Sequence, residues 1–266
     1  MMRRRLLTVL ACSTVLAAAH VAAAAEADQA LAVALAAPTR NKRFAARDPV
    51  RHPAEELAFF GLRPDASVVE ILPGGGYWTE ILAPYLADRG SLAVALEPGD
   101  DGKSQVERFR AKFAGKPGFG GLRITELDAA HSELAPAGTV DLVLTFRNVH
   151  NWMADGYVDQ AFAAFFTALK PGGILGVEEH RGLASVPQDP KAQNGYVRQD
   201  YVVALAEKAG FKLVDSSEIG ANPRDTKDYP SGVWTLPPRF ALNDVDRARY
   251  AAIGEADNMT LKFRIP

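Results

Sequence analysis

The sequence predicts an α/β fold with a doubly wound, mostly parallel sheet, and three observations carry this prediction. Short apolar runs alternate with helix-like segments along residues 56–266. The first run leads through a Pro-Gly-Gly-Gly turn, residues 73–76, into a helix-like segment. The second run ends in an acid, Glu97. Right-handed crossovers then place the loops that follow the strands along one edge of the sheet, where ligands bind in such folds.

Apolar runs bounded by turn residues predict the strands 67–72, 91–96, 122–127, 140–146, 173–178, 211–217 and 259–264. Apolar residues at helical spacing predict the helices 54–62, 77–86, 103–113, 157–169 and 199–209. No clear helix precedes the last strand, so we expect that strand to insert antiparallel at the edge of the sheet. The segment 217–247 is rich in Pro, Asp and Asn, which predicts a long excursion over the active face.

Composition sets the broad class of protein. The chain has 266 residues, is 48% hydrophobic and carries a formal net charge of −2, which suits one globular domain with a full-sized core. A sequence pI of about 6.2 and the absence of a Lys- or Arg-rich face argue against a nucleic-acid partner. Cys12 is the only cysteine, so beyond residue 12 the sequence offers no disulfide, thiolate nucleophile or Cys metal ligand.

The first 25 residues have the pattern of a targeting segment. Three arginines, residues 3–5, precede an apolar run over residues 6–21, and residues 23–25 offer a small-residue cleavage site. We expect a signal peptide over residues 1–25, export to the periplasm, and no stable membrane insertion after cleavage. An uncleaved anchor, a lipoprotein attached at Cys12 and a twin-arginine signal are the alternatives. Residues 26–55 then form an Ala- and Arg-rich helical extension before the domain at 56–266.

Five motifs in order along the domain carry a family resemblance. They are an acid and glycine-rich turn at 70–77, the acid at 97, Leu-Asp-Ala at 127–129, the segment 141–152 ending in His-Asn-Trp, and Leu-Lys-Pro-Gly-Gly at 169–173. Together they resemble class I S-adenosylmethionine-dependent methyltransferases, and within them an exported group, over about residues 55–266. The resemblance implies a Rossmann-like fold and S-adenosyl-L-methionine as the cofactor. Leu72 and Pro73 depart from the family pattern, which has a glycine at the position of Leu72.

The resemblance also implies roles for individual residues. Those expected to bind the cofactor are Glu70, Gly74, Gly75, Gly76, Tyr77, Glu97, Asp128, Arg147 and Asn148. His150 and His180 follow the fourth and fifth strands, where a histidine that titrates near neutrality suits proton transfer from an acceptor. The residues expected to contact the acceptor are Asn151, Trp152, Glu179 and Arg198.

Each assignment has a structural alternative. His150 can be a structural hydrogen-bonding residue, and Trp152 can belong to the core. Alternation along a strand puts Glu178 and His180 on one side and Glu179 on the other. A metal site from Glu179, His180 and His150 lacks tight ligand spacing, so no metal is predicted. The segment 43–51, with arginines at 43, 47 and 51, is a candidate for part of a lid.

The sequence therefore predicts methyl transfer from S-adenosylmethionine to a small-molecule acceptor. The cofactor is made in the cytoplasm, so an expected export signal favours an alternative: a non-catalytic exported binding protein that reuses the fold. A nicotinamide-dependent oxidoreductase fits less well, because the third glycine of G-x-G-x-x-G is missing after residue 76. The sequence indicates neither the acceptor nor the oligomeric state.

Overall fold

The structure is a computed structural model that describes residues 29–98 and 104–266. The predicted signal peptide, residues 1–25, and the start of the helix predicted over 103–113 lie outside the described residues. The described chain begins with a helical stretch over residues 29–35 (α1). Three short helices follow: α2 (Lys42–Ala45), α3 (Asp48–Arg51) and α4 (Pro53–Phe60). The predicted domain boundary between residues 55 and 56 falls within α4.

Seven strands form one sheet in the described residues. They are β1 (Ser67–Ile71), β2 (Ser91–Leu96), β3 (Arg123–Glu126), β4 (Val140–Phe146), β5 (Leu169–His180), β6 (Lys212–Ser217) and β7 (Asn258–Arg264). Their order in the sheet is β3-β2-β1-β4-β5-β7-β6. The strands β1 to β5 pair in parallel, whereas β7 is antiparallel to both β5 and β6. The predicted α/β fold with a mostly parallel sheet is confirmed.

The remaining helices of the described chain connect these strands. They are α5 (Thr79–Leu86), α6 (Ser104–Phe113), α7 (Val149–Asp155), α8 (Val158–Ala168), α9 (Gln199–Lys208) and α10 (Arg247–Ile253), with a 3-10 turn at Gly232–Thr235. The sequence predicts α5, α6, α8 and α9 to within two residues of their observed ends, but it misses α7 and α10. Only Tyr250 is buried in α10, so this helix carries no apolar periodicity that would reveal it.

Alternating strand residues divide the core into two layers. Val68, Leu92 and Leu142 face one side of the sheet, where they pack with residues of α4, α5 and α6. Their neighbours Val69 and Val143 face the other side, where they pack with residues of α7, α8 and α9. Helices therefore cover both faces of the sheet, which leaves the carboxyl ends of the strands as the open edge where a ligand can enter.

The last strand is antiparallel as predicted, but it does not lie at the edge of the sheet. β7 lies between β5 and β6, and Met259, Thr260, Leu261 and Phe263 are fully buried. A strand buried on both faces belongs inside a sheet. The exposed strand β6 forms the edge instead.

Candidate functional site

The carboxyl ends of β2, β1, β4 and β5 lie side by side and border two adjoining cavities. The Glu97 cavity, of about 440 Å³, is lined by Glu97 and Leu96 of the β2 end, by α6 and by Asn151. The arginine cavity, of about 300 Å³, is lined by three arginines, two histidines and a group of aromatic side chains. Residues 72–75 and Asn148 line both cavities. The turn after β1 is thus the common wall of one divided cleft.

The three glycines of this turn have three different surroundings. Gly74 has a φ of +54° and nothing within 4 Å of the place where a Cβ would be, so a ligand can approach its backbone. A Cβ on Gly75 would meet the Phe44 ring at 2.9 Å, and one on Gly76 would meet the Phe113 ring at 2.7 Å. Gly75 and Gly76 are therefore required by packing, and Gly74 is the one that leaves open space.

Leu72, at the position of the family glycine, adopts the left-handed conformation that glycine favours. Its φ is +43°, and its N–H donates to the Ala95 carbonyl at 2.8 Å, which ties the end of β1 to β2. A left-handed conformation costs a non-glycine residue about 1–2 kcal/mol. The departure in sequence therefore preserves the turn of the chain and stores strain at the wall between the two cavities.

Glu70 is a buried acid with one unpaired oxygen. Its Oε2 accepts a hydrogen bond from the Thr79 hydroxyl at 2.6 Å, whereas its buried Oε1 has no hydrogen-bond partner. Burial raises the pKa of Glu70 to about 8, against the opposing effect of the Thr79 hydrogen bonds. An unpaired buried acceptor on the border of the arginine cavity fits a ligand that brings a hydrogen-bond donor.

Glu97 is positioned by Tyr157, the residue that precedes α8. The Tyr157 hydroxyl donates to Glu97 Oε1 at 2.8 Å, and burial together with this carboxylate raises the pKa of Tyr157 above its usual value. Glu97 itself is half-buried and lines its cavity. A carboxylate fixed in this way can accept hydrogen bonds from a diol such as a ribose.

The segment between α1 and α4 closes one side of the arginine cavity through ion pairs. Arg47 forms two hydrogen bonds with Glu255, at 2.7 and 2.6 Å. The buried Arg51 contacts Glu178 at 3.3 Å and lies 4.2 Å from the centre of the Tyr77 ring. Both arginines line the cavity, so the predicted N-terminal extension contributes directly to the site.

Three further contacts hold the same segment in place. Arg40 pairs with Asp48 at 2.6 and 2.9 Å, and Asp48 also accepts a hydrogen bond from the Tyr77 hydroxyl at 2.6 Å. The Asn41 N–H donates to Glu80 Oε2 at 2.7 Å. Tyr77, predicted to bind the cofactor, thus lines the arginine cavity with its hydroxyl already bonded. Arg43, the third arginine of the predicted lid, is exposed and lies outside the cavity.

His150 is paired with a fully buried carboxylate. Its Nδ1 lies 3.0 Å from Glu179 Oε1, and its backbone N–H donates to Glu179 Oε2 at 3.2 Å. Burial alone would raise the pKa of Glu179, but His150 and the His180 N–H hold it below its usual value. The pairing favours a proton on Nδ1, which leaves Nε2 as the acceptor atom of the ring. His150 lines the arginine cavity, whereas Glu179 lies behind it.

His180 faces the same cavity from β5. Its Nδ1 lies 2.7 Å from the Asn258 side-chain oxygen, and its ring centre lies 5.5 Å from that of His150. Burial, with the positive charge of Arg147, lowers the pKa of His180 to about 3, so this ring is neutral at physiological pH. Glu178, on the same side of the strand as predicted, contacts Arg51 and Asn258.

The residues that follow β4 also reach the cleft. Arg147 has a left-handed φ of +63° and contacts Glu255 at 3.3 Å and Glu178 at 3.9 Å. The Asn148 side-chain N–H donates to the Ile71 carbonyl at 3.0 Å, which fixes the end of β1 beside β4. Asn151, predicted to contact the acceptor, lines the Glu97 cavity.

Five predicted site residues do not line either cavity, and Gly76, packed against Phe113, is the first of them. Trp152 is fully buried in the core against Phe162 and Phe165, because its position in α7 points it away from the cleft. Glu179 contacts His150 from outside the cavity. Alternation along β5 puts Glu179 on the opposite side of the strand from His180. The other two are described next.

Arg198 and Asp128 lie apart from the cleft because local partners engage them. Arg198 precedes α9, pairs with Asp200 and lines a separate pocket of about 140 Å³. Asp128 accepts hydrogen bonds from the N–H groups of Ala130 and His131 at 2.7 Å, so it closes its own turn.

Sequence reasoning missed several residues that line the cleft. Trp234, in the 3-10 turn of the 217–247 excursion, lines the arginine cavity, and its ring lies 6.0 Å from that of His150. Lys112 of α6 lines the Glu97 cavity and donates to the Gly75 carbonyl. Glu255 pairs with Arg47 and Arg147 but does not itself line the cavity. None of these three lies in a recognisable motif, so no local signal points to them.

The described part of the chain has no group of three or more His, Cys, Asp or Glu side chains arranged to hold a metal ion. In residues 29–98 and 104–266, no helix is long and apolar enough to cross a membrane.

Solved structures with the same architecture include several methyltransferases. A SAM-dependent methyltransferase from Aquifex aeolicus aligns with a TM-score of 0.55 and 13% identity, over 83% of this chain and 93% of its own. The mitomycin 7-O-methyltransferase MmcR aligns with a TM-score of 0.51 and 17% identity, over 88% of this chain and 60% of its own. The chain has the class I methyltransferase fold.

The same fold also occurs in a protein that is named as a cyclase and not as a methyltransferase. The [4+2]-cyclase SpnF aligns with a TM-score of 0.57 and 17% identity, over 86% of this chain and 83% of its own. No protein-family model and no curated protein sequence matches this chain. The class I fold is thus established by architecture, and the activity must be argued from the site itself.

Proposed function

We propose that this protein transfers a methyl group from S-adenosylmethionine to a small-molecule acceptor. One observation carries the proposal: a single cleft joins a half-buried carboxylate suited to a ribose, Glu97, to a histidine–carboxylate pair, His150 and Glu179. The first feature suits the nucleoside end of the cofactor. The second suits an acceptor that must lose a proton. The SAM-dependent methyltransferase of the same fold supports the choice of cofactor.

The residues of the cleft fit this cofactor. Glu97 would bind the ribose hydroxyls, and the open space over Gly74 would let the ligand approach the turn. The unpaired Oε1 of Glu70 would accept a hydrogen bond from the α-amino group of the methionine part. Asn148, which lines both cavities, lies where the two halves of an elongated ligand would meet.

When bound, S-adenosylmethionine supplies a methyl group on a positively charged sulfur. The protein's contribution is to align the acceptor and to exclude water, because in-line displacement depends on alignment. Nε2 of His150 would take the proton of an acceptor hydroxyl or amine, and Glu179 would stabilise the resulting imidazolium. His180, neutral and hydrogen-bonded to Asn258, would orient the acceptor rather than exchange protons.

A non-catalytic binding protein is the second candidate, and crowding at the glycine turn favours it. Phe44 packs on Gly75, Lys112 donates to the Gly75 carbonyl, and Leu72 stores strain beside them. These contacts restrict the turn more than an open glycine loop would. Export, which we propose from residues 1–25, would further separate the protein from the cytoplasmic source of the cofactor. Fractionation of cells that produce the full chain, beside a variant with residues 3–5 changed to Gln, tests export.

Calorimetric titration with S-adenosylmethionine and S-adenosylhomocysteine tests the proposed function first. We expect micromolar binding that weakens about tenfold or more in Glu97→Ala, because a charge-assisted hydrogen bond contributes about 1.5–3 kcal/mol. Glu126→Ala is the matched control, since Glu126 ends the neighbouring strand β3 and lies outside the Glu97 cavity. No binding at millimolar cofactor would reject methyl transfer and leave the binding-protein candidate.

A further inference from the structure

Three guanidinium groups line one cavity although they come from distant parts of the chain. Arg47 and Arg51 precede the sheet, and Arg147 follows β4. The Arg51 side chain is 5% exposed, and its Nε has no hydrogen-bond partner. Burial and the repulsion of Arg147 lower the pKa of Arg51 to about 10. Bringing three like charges together is unfavourable unless anions balance them.

Two carboxylates contact the three arginines. Glu255 pairs with Arg47 and Arg147, and Glu178 pairs with Arg51 and lies 3.9 Å from Arg147. Neither carboxylate lines the cavity, so both balance the arginines from behind. A third buried carboxylate, Glu179, is engaged by His150. The three guanidinium groups line the cavity and these carboxylates lie behind it, so the surface that faces the cavity is cationic.

Two nearby acids do not cancel the positive charge of this surface. Glu56 hydrogen-bonds the Thr260 hydroxyl, and burial together with the charge of Glu178 raises its pKa to about 9. Glu70 borders the cavity with a pKa raised to about 8 by burial. Both are mainly protonated at neutral pH, so the surface that faces the cavity stays cationic there.

Aromatic rings form the other walls of the arginine cavity. Trp78 stacks on Phe146 with ring centres 4.0 Å apart, and Arg51 lies 5.0 Å from the Trp78 ring. Trp234 is 36% exposed and packs edge-on to His150. Flat apolar walls beside a cationic one favour a flat ligand that carries a negative charge.

We propose that the acceptor is a small aromatic acid whose carboxylate binds against Arg47 and Arg147. Its ring lies among Trp78, Phe146 and Trp234, and its methyl-accepting group lies toward His150. This inference rests on the proposed function and assigns the acceptor class to the same site. It also makes the N-terminal segment a determinant of specificity, because that segment supplies Arg47.

Benzoate and benzamide are suitable probes, because they share a shape and differ in charge. Each is titrated by calorimetry into the full-length protein, free and saturated with S-adenosylhomocysteine. We expect benzoate to bind about tenfold or more tightly than benzamide, with and without S-adenosylhomocysteine. Arg47→Gln should remove this difference, and Glu255 keeps Arg147 as a partner in that variant. Arg43→Gln, an exposed arginine of the same segment, should keep it.

Three results would overturn the proposal. Equal affinity for benzoate and benzamide would show that the arginines do not select an anion. Exclusion of benzoate by S-adenosylhomocysteine would assign the arginines to the methionine carboxylate of the cofactor instead. Loss of selectivity in Arg43→Gln would point to an effect of overall charge. Thermal unfolding of each variant monitors the fold, and failure of S-adenosylhomocysteine to bind at all identifies failure of the proposed function separately.

Discussion

The two cavities of the cleft share one wall but are built in different ways. The Glu97 cavity depends on short motifs: a glycine turn after β1 and an acid at the end of β2. The arginine cavity collects side chains from the N-terminal segment, from β1, β4 and β5, and from the 3-10 turn near residue 234. The comparison teaches that a motif locates side chains that follow a strand end, such as Glu97 and His150, in either cavity. Side chains that converge from distant segments, such as Trp234, leave no such pattern.

The largest expected effect is on the free energy of unfolding, and it distinguishes a core residue from a residue of the cleft. Trp152→Ala should lower the free energy of unfolding by about 3–5 kcal/mol, because Trp152 is fully buried. Trp234→Ala should lower it far less, because Trp234 is 36% exposed, but it should weaken benzoate binding. Denaturant unfolding and calorimetry measure the two quantities. If Trp152→Ala were as stable as the wild type, the assignment of Trp152 to the core would be wrong.

A smaller effect sharpens the contrast between the two acids of the cleft. Glu70 is mainly protonated below pH 8, and a bound ammonium group would favour its ionised form. Binding of S-adenosylhomocysteine should therefore release a proton, and affinity should rise between pH 6 and pH 7.5 by at most about tenfold per pH unit.

The matched variants identify which acid is responsible for that pH dependence. Glu70→Gln should bind with an affinity that no longer changes with pH in this range. Glu97→Ala should bind more weakly but retain the slope. A slope that persists in Glu70→Gln would show that Glu70 does not contact the amino group.

The smallest effect tests the wall that the cavities share. At Leu72, with a φ of +43°, glycine should be favoured over alanine by about 1 kcal/mol, because only glycine adopts this conformation without strain. Leu72→Gly should therefore be more stable than Leu72→Ala, the reverse of the usual order in a strand or helix. Thermal unfolding of the two variants gives the sign, and the usual order would mean that Leu72 is unstrained in solution.

The predicted site residues differ in how far sequence could locate them. Glu70, Gly74 and Glu97 are located by the strand that each one ends or follows, and all three line the cleft. The sequence predicts that Trp152 contacts the acceptor, because it lies with His150 in the segment that follows the fourth strand. Both residues lie in the short helix α7, which directs His150 to the cavity and Trp152 to the core.

The sequence by itself determined the alternation of strands and helices, the glycine turn and the acids at the strand ends, because each depends on neighbouring residues. Only the tertiary structure decided that β7 lies inside the sheet, that Glu179 supports His150, and that Arg47 and Arg51 meet Arg147. Those arrangements depend on contacts between residues far apart in the chain, such as Arg47 with Glu255. Pairings of this kind follow from the packing of the whole sheet and its helices, and no local pattern encodes them.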